Sequence, residues 1–185
     1  MREDQFVRRI KRIVKDVLPS RCRLGDGKER NLYYQIIIDG KCNFYPKDPK
    51  KPMRGDYAFQ TDICILEKKR DISLPRVVIE IKSDISTHDV ITYSNKALRH
   101  KRIYPYLRYG LLLYNRSNIP EKFFIHNEGI DFFLAIEGEI NKYKKILKSL
   151  IKKEIRISKI LESTISGDKE LNFFQIDIRY KNLKI

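Results

Sequence analysis

Two charged side chains, Glu80 and Lys82, alternate with aliphatic residues in the run RVVIEIKS, residues 76–83. The β-branched residues of this run are typical of a strand, in which successive side chains point to opposite faces. Glu80 and Lys82 therefore share one face, and the aliphatic residues at the odd positions share the other, which we expect to be buried. Charged groups in an apolar strand are costly unless they are paired or bind a metal, so the run predicts a sheet strand that carries a site.

Other runs rich in aliphatic and aromatic residues predict further strands. They lie at 31–45, 56–66, 107–115, 131–136 and 172–180. Within the first run, the Asp39-Gly40 dipeptide suits the positive φ angles of a type I′ turn, which predicts a hairpin. The polar segment EKKRDISLP, at 67–75, predicts a connection between two strands.

Three segments have the periodicity of amphipathic helices. Apolar residues recur at helical spacing from Phe6 to Val17, and a second helix is expected over 87–104, with Ser86 or Thr87 as its N-cap. A long basic helix is expected at about 139–165, ahead of Gly167. No linker divides the 185 residues, so they predict a single α/β domain with a mixed central β-sheet flanked by helices.

The charge of the chain indicates the kind of partner it binds. Lysine and arginine outnumber aspartate and glutamate by 39 to 24, which gives a net charge of +15 and a pI near 9.7. So large an excess favours a polyanion, and nucleic acid is the preferred candidate. The sequence has no apolar run of membrane-spanning length, no secretory signal and no glycine-rich phosphate loop. We therefore expect a soluble cytoplasmic protein without a membrane or nucleotide partner.

The cysteine content excludes two other classes of protein. The three cysteines are odd in number, form no CxxC pair and lack a suitably spaced histidine; they are Cys22, Cys42 and Cys64. A disulfide framework and a zinc site are therefore not expected.

A third charged residue, Asp62, occurs in the predicted strand FQTDICIL, where Ile63 and Ile65 mark the opposite face as buried. We expect it in mid-strand, beside Glu80 and Lys82 on a neighbouring strand. Two carboxylates and an ammonium group there would offset one another's desolvation, and the oxygen atoms would suit a hard divalent cation.

An acid followed eighteen positions later by Glu-x-Lys, and then by a helix with Lys, Arg and His, resembles the PD-(D/E)xK nuclease superfamily over residues 56–115. The resemblance implies a restriction-endonuclease-like fold and Mg²⁺ held by Asp62, Glu80 and the carbonyl group of Ile81. It further implies that Lys82 orients or helps to deprotonate the attacking water and stabilises charge on the phosphate. Asp62, Glu80 and Lys82 are therefore the candidate catalytic residues.

The first half of the family motif is not matched fully, since Thr61 rather than proline precedes the candidate acid. Asp56 and Asp71 are the other possible acids, and Asp62 is preferred because it lies inside a predicted strand. Many family members use a further acid from the first helix. Glu3, on the stripe expected to face inward, is the candidate for that role, with Asp56 as an alternative.

Basic residues on the two later helices are candidate contacts to DNA. Those on the predicted helix 87–104 would contact the DNA backbone; they are Lys96, Arg99, Lys101 and Arg102. Lys96 could also belong to the active site. The long basic helix fits nucleic acid as well, although such helices also bind membrane surfaces or partners. The three histidines, His88, His100 and His126, lack metal or triad spacing and are expected at the surface or at strand ends.

The short length and the lack of a recognisable reader domain resemble the small, cleavage-only subunit of heterodimeric type IIS restriction endonucleases. This implies a magnesium-dependent endonuclease of double-stranded DNA that depends on a larger recognition and nicking subunit. One alternative is a self-sufficient homodimer, either a restriction enzyme or a junction resolvase. Another is a non-catalytic nucleic-acid-binding module in which Asp62, Glu80 and Lys82 form a structural ion-pair network.

Overall fold

A five-stranded sheet in the order β1-β6-β7-β8-β9 forms the centre of the molecule. In this computed structural model the described residues are 3–46, 52–54 and 57–172. The strands of the sheet are β1 (Cys22–Leu24), β6 (Ile63–Lys69), β7 (Ile72–Lys82), β8 (Arg108–Tyr114) and β9 (Phe132–Ile136). Strands β1, β6 and β7 are antiparallel neighbours, whereas β8 runs parallel to both β7 and β9. The predicted mixed sheet in a single α/β domain is therefore confirmed.

Helices cover both faces of this sheet. Helices α1 (Glu3–Lys15) and α4 (Lys144–Ile165) share one apolar core with Ile79 and Ile81 of β7. Helix α2 (Thr87–Ile103) and the short α3 (Glu121–His126) share the other core with Val78. Because alternate residues of β7 enter different cores, Glu80 and Lys82 belong to the α2 side, as the alternation predicts.

Helix α2 begins where the sequence predicts. Ser86 is its N-cap, and its hydroxyl accepts a hydrogen bond from the amide of Asp89. The Asp89 carboxylate in turn accepts from the amide of Ser86, which completes a capping box. The long helix expected at about 139–165 begins as a 3₁₀ turn at Ile140–Tyr143, and the α-helix α4 starts only at Lys144.

Two small ribbons lie outside the central sheet. Strand β2 (Asn31–Tyr33) pairs with β5 (Ala58–Gln60), and β3 (Ile37–Ile38) pairs with β4 (Phe44–Tyr45). The predicted hairpin around Asp39 is thus confirmed, but the type I′ turn is wrong. The five connecting residues are held by the Asp39 carboxylate, which accepts from the amides at 41 and 43, and Cys42 rather than Gly40 takes the positive φ.

The predicted polar connection at 67–75 is also wrong. Strands β6 and β7 continue through it and meet at a tight turn, with Lys69 opposite Ile72 and Arg70 at φ 55°. Ion pairs explain why charged residues occupy these strand positions. The buried guanidinium group of Arg76 contacts Glu67 on β6 and Glu162 on α4, which ties the helix to the sheet. The strand predicted at 172–180 lies almost entirely outside the described residues.

Candidate active site at the end of strand β7

The site forms at the carboxyl end of β7, where Glu80 is 3% exposed. Its carboxylate accepts one hydrogen bond from the hydroxyl of Tyr109 on β8 (2.7 Å) and another from the backbone amide of Asp62 (3.2 Å). Asp62 in turn accepts a hydrogen bond from the amide of Ile81 through Oδ2 (2.9 Å). These reciprocal bonds fix the two carboxyl groups beside each other, as the sequence predicts.

The position of Asp62 within its strand was predicted wrongly. Asp62 is half-buried and lies in the bend between β5 and β6, one residue before β6 begins. Its carbonyl and that of Thr61 accept hydrogen bonds from the guanidinium group of Arg30 (3.2 and 3.0 Å). The bend gives the Asp62 side chain access to the end of β7, because the residue does not take part in the regular pleat of β6.

The environment of Glu80 disfavours the ionised form of its carboxyl group. Burial first, and then the negative charge of Asp62, raise the pKa of Glu80 to about 7, although its hydrogen bond with Tyr109 and the positive charge of Lys96 oppose the shift. Tyr109 shows the reciprocal effect, since burial and the neighbouring carboxylate raise the pKa of its hydroxyl well above the ordinary value. At Glu80, burial and the charge of Asp62 therefore outweigh the nearby positive charge.

Lys82 lies on the same side of β7 but contacts different groups. Its ammonium group is 5.5 Å from the ring centroid of Tyr93 on α2. A hydrogen bond with the Tyr93 side chain raises the pKa of Lys82, and the negative charges of Glu3 and Asp62 add to this effect. Within the described ranges, no ion pair joins Lys82 to Asp62 or Glu80. Lys82 is therefore a protonated, half-buried cation beside the carboxylates.

The other acids considered from the sequence have different positions. Glu3, the first residue of α1, is exposed rather than inward-facing, yet it is close enough to Lys82 to influence its charge. Asp71 lies in the exposed turn at the far end of the β6–β7 hairpin, so it is not part of this site. Asp56 lies outside the described residues.

The four cations predicted to contact DNA separate into two groups. Lys96 is half-buried near Glu80, and Arg99 and Arg102 are exposed on α2. Lys101 instead points into the fold, where its ammonium group donates to the Gly129 carbonyl (2.6 Å) and to Asp131 (2.7 Å). The Lys101 ammonium group is therefore bonded within the fold rather than presented at the surface of α2.

The prediction that the histidines are surface or strand-end residues is wrong for His100. This residue is fully buried on α2, and burial lowers its pKa to about 4. Its neutral ring donates from Nδ1 to the carbonyl of Tyr33 (2.8 Å) and stacks on Tyr109, the hydroxyl of which binds Glu80. His100 is thus a structural support for the site rather than one of its surface cations.

Sequence reasoning missed Tyr109, Tyr93, Arg30 and Lys11 as neighbours of the site. Lys11 of α1 is close enough to Asp62 for its pKa to be affected, although burial and Arg30 outweigh that effect and lower the pKa. Tyr109 carries the clearest missed signal, because a tyrosine inside an aliphatic strand needs a partner for its hydroxyl. Nothing in the local pattern identifies Glu80 as that partner.

The chemical type of the ligands at this site suits magnesium. Asp62 and Glu80 present oxygen ligands from two carboxylates, and Mg²⁺ is commonly held by one or two carboxylates while it keeps several waters. No cluster of three or more His, Cys, Asp or Glu side chains suited to a metal occurs among the described residues. The three cysteines, all within described segments, are free thiols, and Cys22 and Cys64 are buried.

Comparisons with known proteins assign no family to this arrangement. The chain matches no protein-family model, no curated protein and no solved structure. Of the helices in the described ranges, none has the length and apolar character needed to cross a bilayer.

Proposed function

We propose that the chain is a magnesium-dependent endodeoxyribonuclease with Asp62, Glu80 and Lys82 as its catalytic residues. The observation that carries the proposal is the reciprocal hydrogen bonding that holds the two carboxyl groups side by side, where burial first and then the charge of Asp62 raise the pKa of Glu80 to about 7. A structural ion-pair network would lower that pKa, because a cation would stabilise the anionic form. Two acids held side by side, at which the nearby cations do not outweigh burial and mutual repulsion, are instead what a divalent-metal site presents before it is loaded.

Each residue has a role that follows from its position. Asp62 and Glu80 would hold the cation, with the Ile81 carbonyl as a possible third ligand from the same strand end. When bound, Mg²⁺ supplies Lewis acidity and lowers the pKa of a coordinated water. Lys82, which its contacts keep protonated, would stabilise the negative charge that develops on the phosphate as water attacks phosphorus. The raised pKa of Lys82 argues for this charge-stabilising role over that of a general base.

Nucleic acid as the substrate is supported by charge. The net charge of +15 offsets the repulsion between a polyanion and an acidic site, and Lys96, Arg99 and Arg102 supply cations on the helix next to that site. DNA rather than RNA follows from the family resemblance alone. The cytoplasmic location likewise stays a prediction.

A partner forms part of the proposal. A single site of this kind hydrolyses one strand, so a break in double-stranded DNA needs a second site. We favour a larger subunit that recognises the sequence and nicks the other strand. A homodimeric restriction enzyme or junction resolvase would supply the second site from another copy.

Cleavage of supercoiled plasmid tests the proposed function. In Mg²⁺ we expect conversion to the nicked or linear form, and in EDTA we expect none, because the carboxylates need the cation to orient water and phosphate. If the isolated chain is silent, the assay is repeated with a candidate large subunit and with branched DNA. Cleavage that persists in EDTA, or silence in every combination, would contradict the proposal.

A further inference from the structure

A row of cations and aromatic rings leads away from Lys82 along one side of α2. The Lys96 ammonium group lies 5.0 Å from the ring centroid of Tyr93 and 5.5 Å from that of Phe59 on β5. Phe59 stacks on Tyr34, with centroids 4.1 Å apart and planes inclined by 19°. Arg99 places its guanidinium group 5.6 Å from the Tyr34 ring centroid. We call this row the ladder: Lys82, Tyr93, Lys96, Phe59, Tyr34 and Arg99.

Beyond Lys82 on β7, the ladder is built on helix α2 and the β2–β5 ribbon, which the fold holds together. Tyr93, Lys96 and Arg99 are spaced by three residues, so they follow one face of α2. Phe59 lies in the β2–β5 ribbon and Tyr34 directly follows β2. The hydrogen bond between His100 and the Tyr33 carbonyl ties this ribbon to α2. Phe59 also packs edge-on against the His100 ring, with centroids 5.8 Å apart. The spacing between the aromatic pair and the helix cations is therefore set by buried contacts.

The outer half of the ladder is partly exposed to solvent, which a purely structural cluster does not require. Tyr34, Phe59 and Lys96 are half-buried and Arg99 is exposed. Aromatic rings and guanidinium planes are the surfaces on which unpaired bases stack, and adjacent cations contact the phosphates of the same strand. In paired DNA the base faces are covered by their neighbours, so rings at this position would have little to bind.

We propose that the ladder is a stacking track for an unpaired stretch of a DNA strand, which it guides to the phosphate cut beside Lys82. The inference rests on the proposed function for the identity of the site and adds the class of substrate. Phosphate contacts come from Lys96 and Arg99, and Tyr34 with the Arg99 guanidinium plane stacks a base. The preferred substrate is therefore DNA that is locally unwound, branched or single-stranded next to the cut.

Binding in EDTA tests the track without cleavage. Fluorescence anisotropy compares an oligothymidylate of about 20 nucleotides with a strand of equal length built from abasic deoxyribose phosphates, and with a duplex. Wild-type protein should bind oligothymidylate at least about tenfold more tightly than the abasic strand, since both carry the same phosphates. Equal affinity for the two strands, or tighter binding of the duplex, would overturn the inference. This comparison requires no variant of the protein.

Two variants locate the contact. Tyr34→Leu should weaken oligothymidylate binding about tenfold and leave abasic binding unchanged, whereas Tyr34→Phe, which keeps the ring, should bind like wild type. Arg99→Met should reduce the slope of log affinity against log salt by about 0.7. Unchanged binding by both Tyr34→Leu and Arg99→Met would refute the track. Plasmid cleavage with Mg²⁺ is scored separately, so a nuclease without base stacking and a stacking protein without cleavage are distinguishable.

Discussion

Replacing Lys82 with methionine is expected to reduce magnesium-dependent DNA cleavage by at least about 100-fold. Methionine keeps much of the apolar length but removes the charge that the contact with Tyr93 and the nearby acids hold in place. The half-buried Lys82 forms no ion pair with Asp62 or Glu80 among the described residues, so the fold should survive the change. Steady-state cleavage rates at saturating DNA, together with the melting temperature, measure the two effects.

Lys68→Met is the matched control for this prediction. Lys68 is exposed on β6, opposite Ser73, and lies toward the far end of the hairpin from Asp62. Its loss removes an equal charge from the same sheet, so the cleavage rate should change less than about threefold through the general field alone. Equal losses in the two variants would show that Lys82 contributes only to overall charge.

Glu80→Gln is expected to stabilise the metal-free protein at alkaline pH. A carboxyl group with a folded-state pKa of about 7, against 4.5 for the ordinary group, binds more protons in the folded state over that interval. The contribution of protonated Glu80 to the free energy of unfolding is therefore fully present below about pH 4.5. It is lost as the pH rises through the folded-state pKa of about 7. The full loss is about 3 kcal/mol. The amide group meets the Asp62 N–H less favourably, so we expect a net gain of about 2 kcal/mol at pH 8.

Urea denaturation in EDTA at pH 8 and pH 4 measures this effect. At pH 4 the protonated Glu80 already avoids the penalty, so the variant should gain nothing there. Glu67→Gln on the neighbouring strand is the control with the opposite sign. Although burial opposes ionisation, the hydrogen bonds from Lys159 and Arg76 lower the pKa of Glu67, so its replacement should destabilise the protein at pH 8. Destabilisation by Glu80→Gln at pH 8 would support the structural ion-pair alternative instead.

Local patterns were sufficient for much of the fold. The capping residues before Thr87 and the aliphatic runs of β7 and β8 led to the correct elements, because caps and strand alternation depend on near neighbours. The prediction of a type I′ turn at Asp39-Gly40 was wrong because the Asp39 carboxylate accepts hydrogen bonds from the backbone amides at 41 and 43, which favours a longer loop. The charged segment 67–75 has the pattern of a polar connection because the ion partners of Glu67 and Lys69 on α4 are far away in sequence.

The sequence predicts the two neighbouring acids of the site better than the residues around them. Glu80 and Asp62 were paired correctly, since an isolated carboxyl group in an apolar strand demands an explanation. The bend at Asp62 was missed because Ile63 and Ile65 continue the strand pattern up to it. Lys101 and His100 look like members of one basic cluster in the sequence. The rotation of α2 instead buries His100, turns the half-buried Lys101 toward Asp131, and leaves Arg99 and Arg102 exposed. Helix rotation depends on tertiary packing, which the charge pattern does not report.

The central claim is that the carboxyl pair of Asp62 and Glu80 is a divalent-cation site, and calorimetric titration with Mg²⁺ at pH 8 tests it without DNA or a partner. Wild-type protein should show saturable binding that weakens below about pH 7, where protons compete for Glu80. Glu80→Gln should bind at least about tenfold more weakly, whereas Asp71→Asn, in the exposed hairpin turn, should match wild type. Absence of saturable binding to wild type, or equal binding by Glu80→Gln, would contradict the account.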